Sequence, residues 1–491
     1  MDPRHLVIVG GGLAGMSAGC YALRSGFRVT IVEHNLALGG VCTAWQRGPY
    51  TVDGCIHWLT GGPFQRVYEE LEILPAVPLR TLTSWMTYRD ARDGLEVSID
   101  ADLDATFARL RALAPEDADE LARMRDAVAE VAAMELPIAA PELTGLREGL
   151  RRLWHLRDAA GAVVHFRKST GQWARERLRS PRLRQLLVRL VPETAPALFL
   201  LMVLGYLERG WLSRPVGGTA VFRDALERTY RGLGGQVVLH GTVDEILVAG
   251  DRVRGVRLAD GELIDADVVV STSSAPETVL RLLGGRYEAD AVRDRMATWK
   301  MFDPIVLASF GVEGRFADQP PLMVIDGVPP FDAGGRTVDT LYLRIGNDEP
   351  AFAPPGHTVV QAMLTTDYAW WATRGTGYGA AKDAMGAAVL DHLEPHLPGL
   401  RAAVRMTDLA TPLTYWNMAR SWRGAFEGWM PTGDSMFGHI DKRLHGLAGF
   451  YQCGQWVEPG GGVPTAVLSG RQAIELACAD DGRTFVPTRP M

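Results

Sequence analysis

Cysteine is scarce in this 491-residue chain, with five residues, Cys20, Cys42, Cys55, Cys453 and Cys478. The number is odd, no CxxC pair occurs and no His/Cys/Asp cluster has metal spacing. These absences exclude a disulfide scaffold and a zinc site, and a reducing compartment is expected. Lysine is scarcer still: Lys168, Lys300, Lys382 and Lys442 are four of 51 basic residues. Long apolar runs are also missing, since Ala195 to Leu207 falls short of the about 20 residues that span a bilayer. No room precedes His5 for a charged n-region and cleavage site, so no signal peptide is expected. There is no internal repeat or low-complexity stretch, and no second dinucleotide fingerprint of the kind a disulfide reductase carries. A net charge of −7 argues against nucleic acid. What is present, 47% apolar and 22% charged residues, is ordinary for a globular protein of two or three domains.

The N-terminus is informative. His5 to Gly10 reads as a buried parallel strand, followed at once by Gly10-x-Gly12-x-x-Gly15 and a helix to about Arg24. In that motif Gly10 permits the tight turn, Gly12 lets a pyrophosphate approach the backbone, and Gly15 lets helix and strand pack closely. The free N–H groups of the helix start then face the phosphates. Arg28 to Val32 reads as a second strand and ends in Glu33, about 23 residues beyond Gly10, where an acid binds a ribose 2′-hydroxyl. A carboxylate there repels a 2′-phosphate, so the nucleotide should be FAD or NAD rather than NADP.

Further along, Asp102 to Ala133 has helical periodicity broken at Pro115, inside a mainly helical block from about Pro63 to Trp211 that looks inserted. Between Arg147 and Arg189 lie Arg147, Arg151, Arg152, Arg157, Arg167, Lys168, Arg175, Arg177, Arg179, Arg182, Arg184 and Arg189, against Glu148, Asp158 and Glu176. Two readings of 147–207 stay open: a helix pair lying on an anionic membrane with apolar side chains dipped in, or a solvated face followed by a core helix. After Pro215-x-Gly217-Gly218-Thr219 come a helix (Ala220 to Arg231) and strands at Gln236 to His240, Val243 to Val248 and Val253 to Leu258. An Asp260-Gly261 turn follows, then a buried strand, Asp265 to Ser271. Strands are expected at Ile305 to Phe310, Leu322 to Ile325, Thr340 to Ile345 and Thr358 to Thr365, then a helix, Tyr378 to His392.

Together these residues carry a resemblance: Gly10-x-Gly12-x-x-Gly15, Glu33, Gly39-Gly40, Tyr50-x-x-Asp53-Gly54-x-x-His57, Pro215-x-Gly217-Gly218, Asp260-Gly261 with Ala266-Asp267-Val268-Val269, Thr411-Pro412-Leu413-Thr414, and Gly454 to Gly470 with its Pro459-Gly460-Gly461-Gly462-x-Pro464 turn. The chain resembles the phytoene desaturase, carotenoid isomerase and retinol saturase superfamily of flavoproteins over nearly its whole length. The resemblance implies an α/β fold: a Rossmann-like FAD-binding domain of glutathione reductase/amine oxidase type, a mixed-sheet substrate domain and a helical subdomain, membrane-associating on the first of the two readings of 147–207. The expected divisions are 1–62, 212–290 and 440–491 for FAD, 63–100 and 291–439 for substrate, and 101–211 for the helices.

Carried over residue by residue, the resemblance assigns Gly10, Gly12 and Gly15 to the pyrophosphate, Glu33 to the ribose, and Gly39, Gly40 and Thr43 to the approach to the flavin. It also assigns the Val243 backbone to adenine, and Gly454, Gly461, Gly462 and Val463 to the ribityl chain and isoalloxazine. The dipole of the helix from about Thr465 would favour anionic reduced flavin. Val41 stands where an arginine is common and Gln455 where an acid is common, so a phosphate or ribityl contact must come from elsewhere. The implied activity is hydride transfer between an allylic carbon of a long polyene or isoprenoid lipid and flavin N5, with quinone or oxygen as acceptor, in the cytoplasm or on the inner membrane face. Isomerisation or saturation of a polyene, amine oxidation, and non-catalytic binding of prenylated partners are alternatives. A hydrocarbon offers no polar handle, so an apolar tunnel is expected, with Trp45, Trp58, Tyr415, Trp416, Trp422, Trp429 and Trp456 as candidate walls. Proton-transfer candidates are His57, Tyr415, Glu427 and Glu458.

Overall fold

The computed structural model describes residues 3–134, 137–145, 159–314, 316–436, 438 and 440–489. It is an α/β fold built on a parallel five-stranded sheet in the order Gln236–Val238, Arg28–Val32, His5–Val9, Val268–Ser271, Phe450–Gln452. Both faces of this sheet are covered, which is why its strands read as unbroken apolar runs. On one face lie the helices Leu13–Arg24 and Gly462–Asp480. They cross closely at Gly470, where a Cβ would meet the Ala14 carbonyl at 2.6 Å, and Ser17 Oγ donates to the Val467 carbonyl at 2.7 Å. On the other face Val7, Val9 and Val32 share a core with Val243, Ile246, Val253 and Val256 of a three-stranded antiparallel sheet.

A second sheet of seven strands runs Val404–Ala410, Ile305–Glu313, His357–Thr365, Thr337–Ile345, Leu322–Asp332, Ser84–Asp90, Glu96–Asp100. Only the contact between Leu322–Asp332 and Ser84–Asp90 is parallel. Helix Tyr378–Leu393 backs it through Met385, Val389 and Leu393.

The third unit is helical, and it bears on the apolar part of 147–207. Helix Ala197–Glu208 is buried except at Phe199, Met202 and Glu208. It crosses helix Ala118–Ala132 so tightly that a Cβ on Gly205 would meet the Val128 carbonyl at 3.0 Å. Most of its apolar side chains fill the core of the subdomain, as the core-helix reading of this run expects. Arg147, Arg151, Arg152 and Arg157 lie outside the described residues. Several later basic side chains are engaged within the protein, Arg175 with Glu193 and Arg189 with Asp326 among them. No helix among the described residues is long and apolar enough to cross a membrane.

One buried carboxylate ties this subdomain to the second sheet. Asp326, fully buried, accepts from Tyr88 Oη (3.1 Å), Thr340 Oγ1 (3.0 Å), Arg189 Nε (2.7 Å), Arg92 (3.3 Å) and Gln185. Removing one member of such a cluster strands the others, at a cost of about 3–5 kcal/mol. Asp326→Ala should therefore lower the urea-unfolding free energy by about that much, whereas Asp290→Ala, which breaks an exposed pair with Arg293, should change it little. Equal effects from the two substitutions would refute the role of Asp326 as a tie.

Candidate active site

The loop between the first strand and first helix makes a floor without side chains. Gly10 has φ +100° and donates its N–H to the Val32 carbonyl at 2.9 Å. Gly12 precedes the helix with no side-chain cap, and the first turn carries no acid. A Cβ on Gly12 would meet only the Gly39 carbonyl and Gly40 Cα, both at 3.9 Å, and Gly39 N–H donates to Gly11 O at 2.9 Å. A Cβ on Gly15 would overlap the Gly10 carbonyl oxygen, so only glycine brings helix and strand this close.

Glu33 is buried at the end of the second strand and accepts from the Gly11 N–H (2.8 Å) and from the Asn35 N–H and Nδ2 (both 2.9 Å). Burial pushes its carboxyl up, but bonds from His34, Asn35 and Gly11 outweigh that and hold it below the usual range. It is an anion at neutral pH. Val243 follows nearby, in the strand entered where Gly241 N–H donates to Glu33 O, and its carbonyl accepts from Arg281 Nη2 at 3.1 Å.

The opposite rim is the segment 454–463. Gly454 donates its N–H to Ser469 Oγ at 2.8 Å, and the Gly460–Gly462 turn opens the C-terminal helix, again without a side-chain cap; Val463 is buried at its start. Two uncapped helix N-termini thus flank an acid-free glycine floor, with Glu33 at one end. That cradle fits a dinucleotide diphosphate, and the residues that would hold FAD are those of the N-terminal fingerprint, Glu33, Gly39, Gly40, Thr43 and the 454–463 segment. An arginine that sequence spacing does not reveal reaches the edge where Val41 stands. Arg223, on helix Thr219–Gly232, runs along Gly39, where a Cβ would lie 2.6 Å from its Cδ, and its Nη1 donates to Thr43 Oγ1 at 3.3 Å.

Beside the Gly39–Thr43 edge sits an apolar cluster of Ile305, Leu307, Ala410 and Tyr415, with Val41, Trp45, Met363 and Phe426 packed on it. Of the aromatic walls expected, only Trp45 and Tyr415 belong to it. Trp422, Trp429 and Trp456 form a separate core, Trp416 packs edge-on against Trp422, and Trp58 packs edge-on against Trp85 of the helical core. Large aromatics gather wherever apolar area is buried, so composition alone could not sort them.

The four proton-transfer candidates separate. Glu427 lies under the glycine turn, its Oε1 3.9 Å from where a Cβ on Gly462 would be. Among the described residues its carboxylate has no hydrogen-bond or ion-pair partner, and burial pushes it up to about 7. Gln455 Nε2 fixes the neighbouring Phe426 carbonyl at 2.9 Å. Tyr415 is buried, its phenol pushed up by burial and then by the nearby Cys55, so it stays neutral. Glu427 in turn raises Cys55, which places these three groups in one neighbourhood. His57 instead enters a polar pocket lined with Arg80, Arg214, Arg344, Asp348 and Glu349. Its Nε2 is buried without a partner among the described residues, and burial, then Arg344 and Arg214, push it down to about 4. Glu458 is 3.3 Å from the Nζ of Lys442, a fully buried lysine that also pairs with Glu142. Asp53, next to the cradle, is committed to structure: it accepts the Thr219 N–H (2.7 Å) and hydroxyl at the start of a helix.

A model of flavin containing amine oxidoreductases matches residues 13–476. The chain belongs to that family. Family membership makes FAD its cofactor and assigns the chain to the FAD-dependent oxidoreductases. Among curated relatives, the zeta-carotene-forming phytoene desaturase of Myxococcus xanthus is 25% identical over 513 residues, 96% of this chain and 93% of that one. The lycopene-forming phytoene desaturase of Pseudescherichia vulneris is 25% identical over 295 residues, so the match spans 56% of this chain and little more than half, 58%, of that relative. Cyclohexylamine oxidase from Brevibacterium oxydans superposes with a TM-score of 0.59 at 15% identity, covering 98% of this chain and 100% of that one, a likeness of fold alone. The amine oxidoreductase chain is therefore phytoene desaturase-like in sequence and shares its fold with amine oxidases.

Proposed function

We propose that the protein oxidises or reduces carbon–carbon bonds of a long polyene or isoprenoid lipid, as a phytoene desaturase-like enzyme. The observation that carries this reading is the apolar cluster beside the Gly39–Thr43 rim, with Glu427 its one neighbouring carboxylate free of partners among the described residues. Bound FAD supplies hydride acceptance from, or donation to, an allylic carbon. The chain supplies shape from Ile305, Leu307, Ala410 and Met363, exclusion of water, and a proton acceptor or donor in Glu427. Electrons leave to a quinone or oxygen, and the work is done in the cytoplasm or at the inner membrane face.

Incubating FAD-loaded protein and liposomes with phytoene, cis-lycopene or retinol, with oxidised and with chemically reduced flavin, tests this by product mass. Loss of two hydrogens with oxidised flavin is the expected result. A gain with reduced flavin makes it a saturase, and unchanged mass with shifted retention an isomerase. The amine oxidase likeness of the fold supports a second reading, and an amine panel scored by peroxide release is its arm. Turnover of amines with no change in any polyene would overturn the proposal.

A further inference from the structure

The hairpin of Ala44–Arg47 and Tyr50–Asp53 keeps a constant register, from Arg47 opposite Tyr50 to Ala44 opposite Asp53. Beyond it, the Gly54 N–H donates to the Thr43 carbonyl at 3.1 Å, which adds one more rung. Cys42 and Cys55 follow that rung, one on each segment, where both segments bend. Residues that flank one backbone hydrogen bond on the same side can approach to the about 4.4–6.8 Å Cα separation of a disulfide. The side chains agree with the backbone: both thiols are free and packed in one core, Cys55 at its margin, and the Cys42 thiol lies near enough to raise that of Cys55. The position is not an idle one. Cys42 N–H donates to Gly39 O at 3.1 Å, so the pair hangs from the rim of the flavin cradle, with Asp53, Tyr415 and Glu427 beside it. The other three cysteines are buried, Cys20 and Cys478 within helices and Cys453 just after the last strand of the parallel sheet.

We infer that Cys42 and Cys55 are a redox-active pair, a site of reversible disulfide formation in the rim of the flavin cradle. With a small disulfide as oxidant, the Cys55 thiolate attacks one of its sulfurs, breaking that S–S bond and expelling one thiolate. The Cys42 thiolate then attacks the Cys55 sulfur and expels the second. Two protein thiols are oxidised, one small disulfide is reduced to two thiols, and the two protons end on the leaving thiolates. The new bond joins the loop carrying Gly39, Gly40 and Thr43 to the strand that delivers Asp53. The hydrogen bond from Cys42, burial, and the charges of Cys42, Asp53 and Glu427 raise the Cys55 thiol. Closure is therefore slow at neutral pH and speeds up by about tenfold per pH unit while the thiol form dominates.

The inference does not depend on the substrate reading and is tested without turnover. Full-length FAD-loaded protein, reduced and then freed of reductant, is incubated with oxidised glutathione at a series of pH values from neutral upward, alkylated, digested without reduction and analysed by mass spectrometry. The expected result is a cross-linked peptide joining Cys42 to Cys55, loss of two of the five free thiols, and recovery of both with dithiothreitol. Cys42→Ser and Cys55→Ser should each trap glutathione on the surviving partner. The wild-type cross-link decides the question even where a serine variant folds poorly. Retention of all five thiols at every pH, or glutathione on single cysteines without the 42–55 link, would overturn the inference.

Discussion

Gly15→Ala should give a protein that purifies with little or no FAD. The added methyl group overlaps the Gly10 carbonyl oxygen and comes within 3.2 Å of Ile8 Cγ2. Neither can step aside alone, because one is backbone in the cofactor floor and the other is the centre of the sheet. Overpacking of this kind costs about 1–3 kcal/mol, and relief comes only by lifting the helix off the strand, which moves the N–H groups of its first turn away from the diphosphate. If the whole cost falls on cofactor binding, FAD affinity drops about 5- to 150-fold, read from the flavin-to-protein ratio and from a fluorescence titration of the apoprotein. Gly379→Ala is the control. A Cβ there meets nothing, and the site lies in helix Tyr378–Leu393, so the substitution should stabilise by up to about 1 kcal/mol with flavin content unchanged. A Gly15→Ala protein with wild-type flavin content would refute the assignment of this loop to the cofactor.

The same physics explains how much could be read in advance. Strand, glycine fingerprint, helix, second strand and Glu33 are local, and the structure places them within a residue or two of where the pattern does: Leu13–Arg24 for the first helix and Arg28–Val32 for the second strand. The four substrate-side strands were legible too, though their ends run further, as in Leu322–Asp332, because pairing continues past the apolar stretch. What the pattern could not supply was contact between distant segments. Ala195–Leu207 has the composition of a membrane-dipping helix and a core helix alike, and its packing against Val128 and Ala132 shows only in the close crossing at Gly205. Arg223 reaches Thr43 from 180 positions away, and Lys442 claims Glu458 from a neighbouring loop. The nearness of Cys42 and Cys55 was latent in the hairpin between them, but no CxxC spacing announces it.

Glu427 offers the sharpest test of the chemistry, because its activity and stability effects have opposite signs. Burial raises its carboxyl from the ordinary glutamate value to about 7, so between about 4.5 and 7 the folded protein binds a proton that the unfolded chain releases. Stability linked to this group is therefore fully present below about pH 4.5 and is lost as pH rises through 7, by about 3 kcal/mol in total. Glu427→Gln, neutral throughout, should be as stable as wild type at low pH and more stable by up to about 3 kcal/mol at pH 8. As the proton acceptor in desaturation, Glu427 acts as carboxylate, so the wild-type rate should rise through about pH 7 and then level off. The glutamine variant should lose that limb and about 10²–10⁴ in kcat, with flavin content retained. In the saturating direction the acid form is needed, and the same limb should fall as pH rises. A variant that is both less stable and equally active would make Glu427 a packing residue of the Gly461–Gly462 turn, and the proton would then have to be taken by solvent or by the flavin itself.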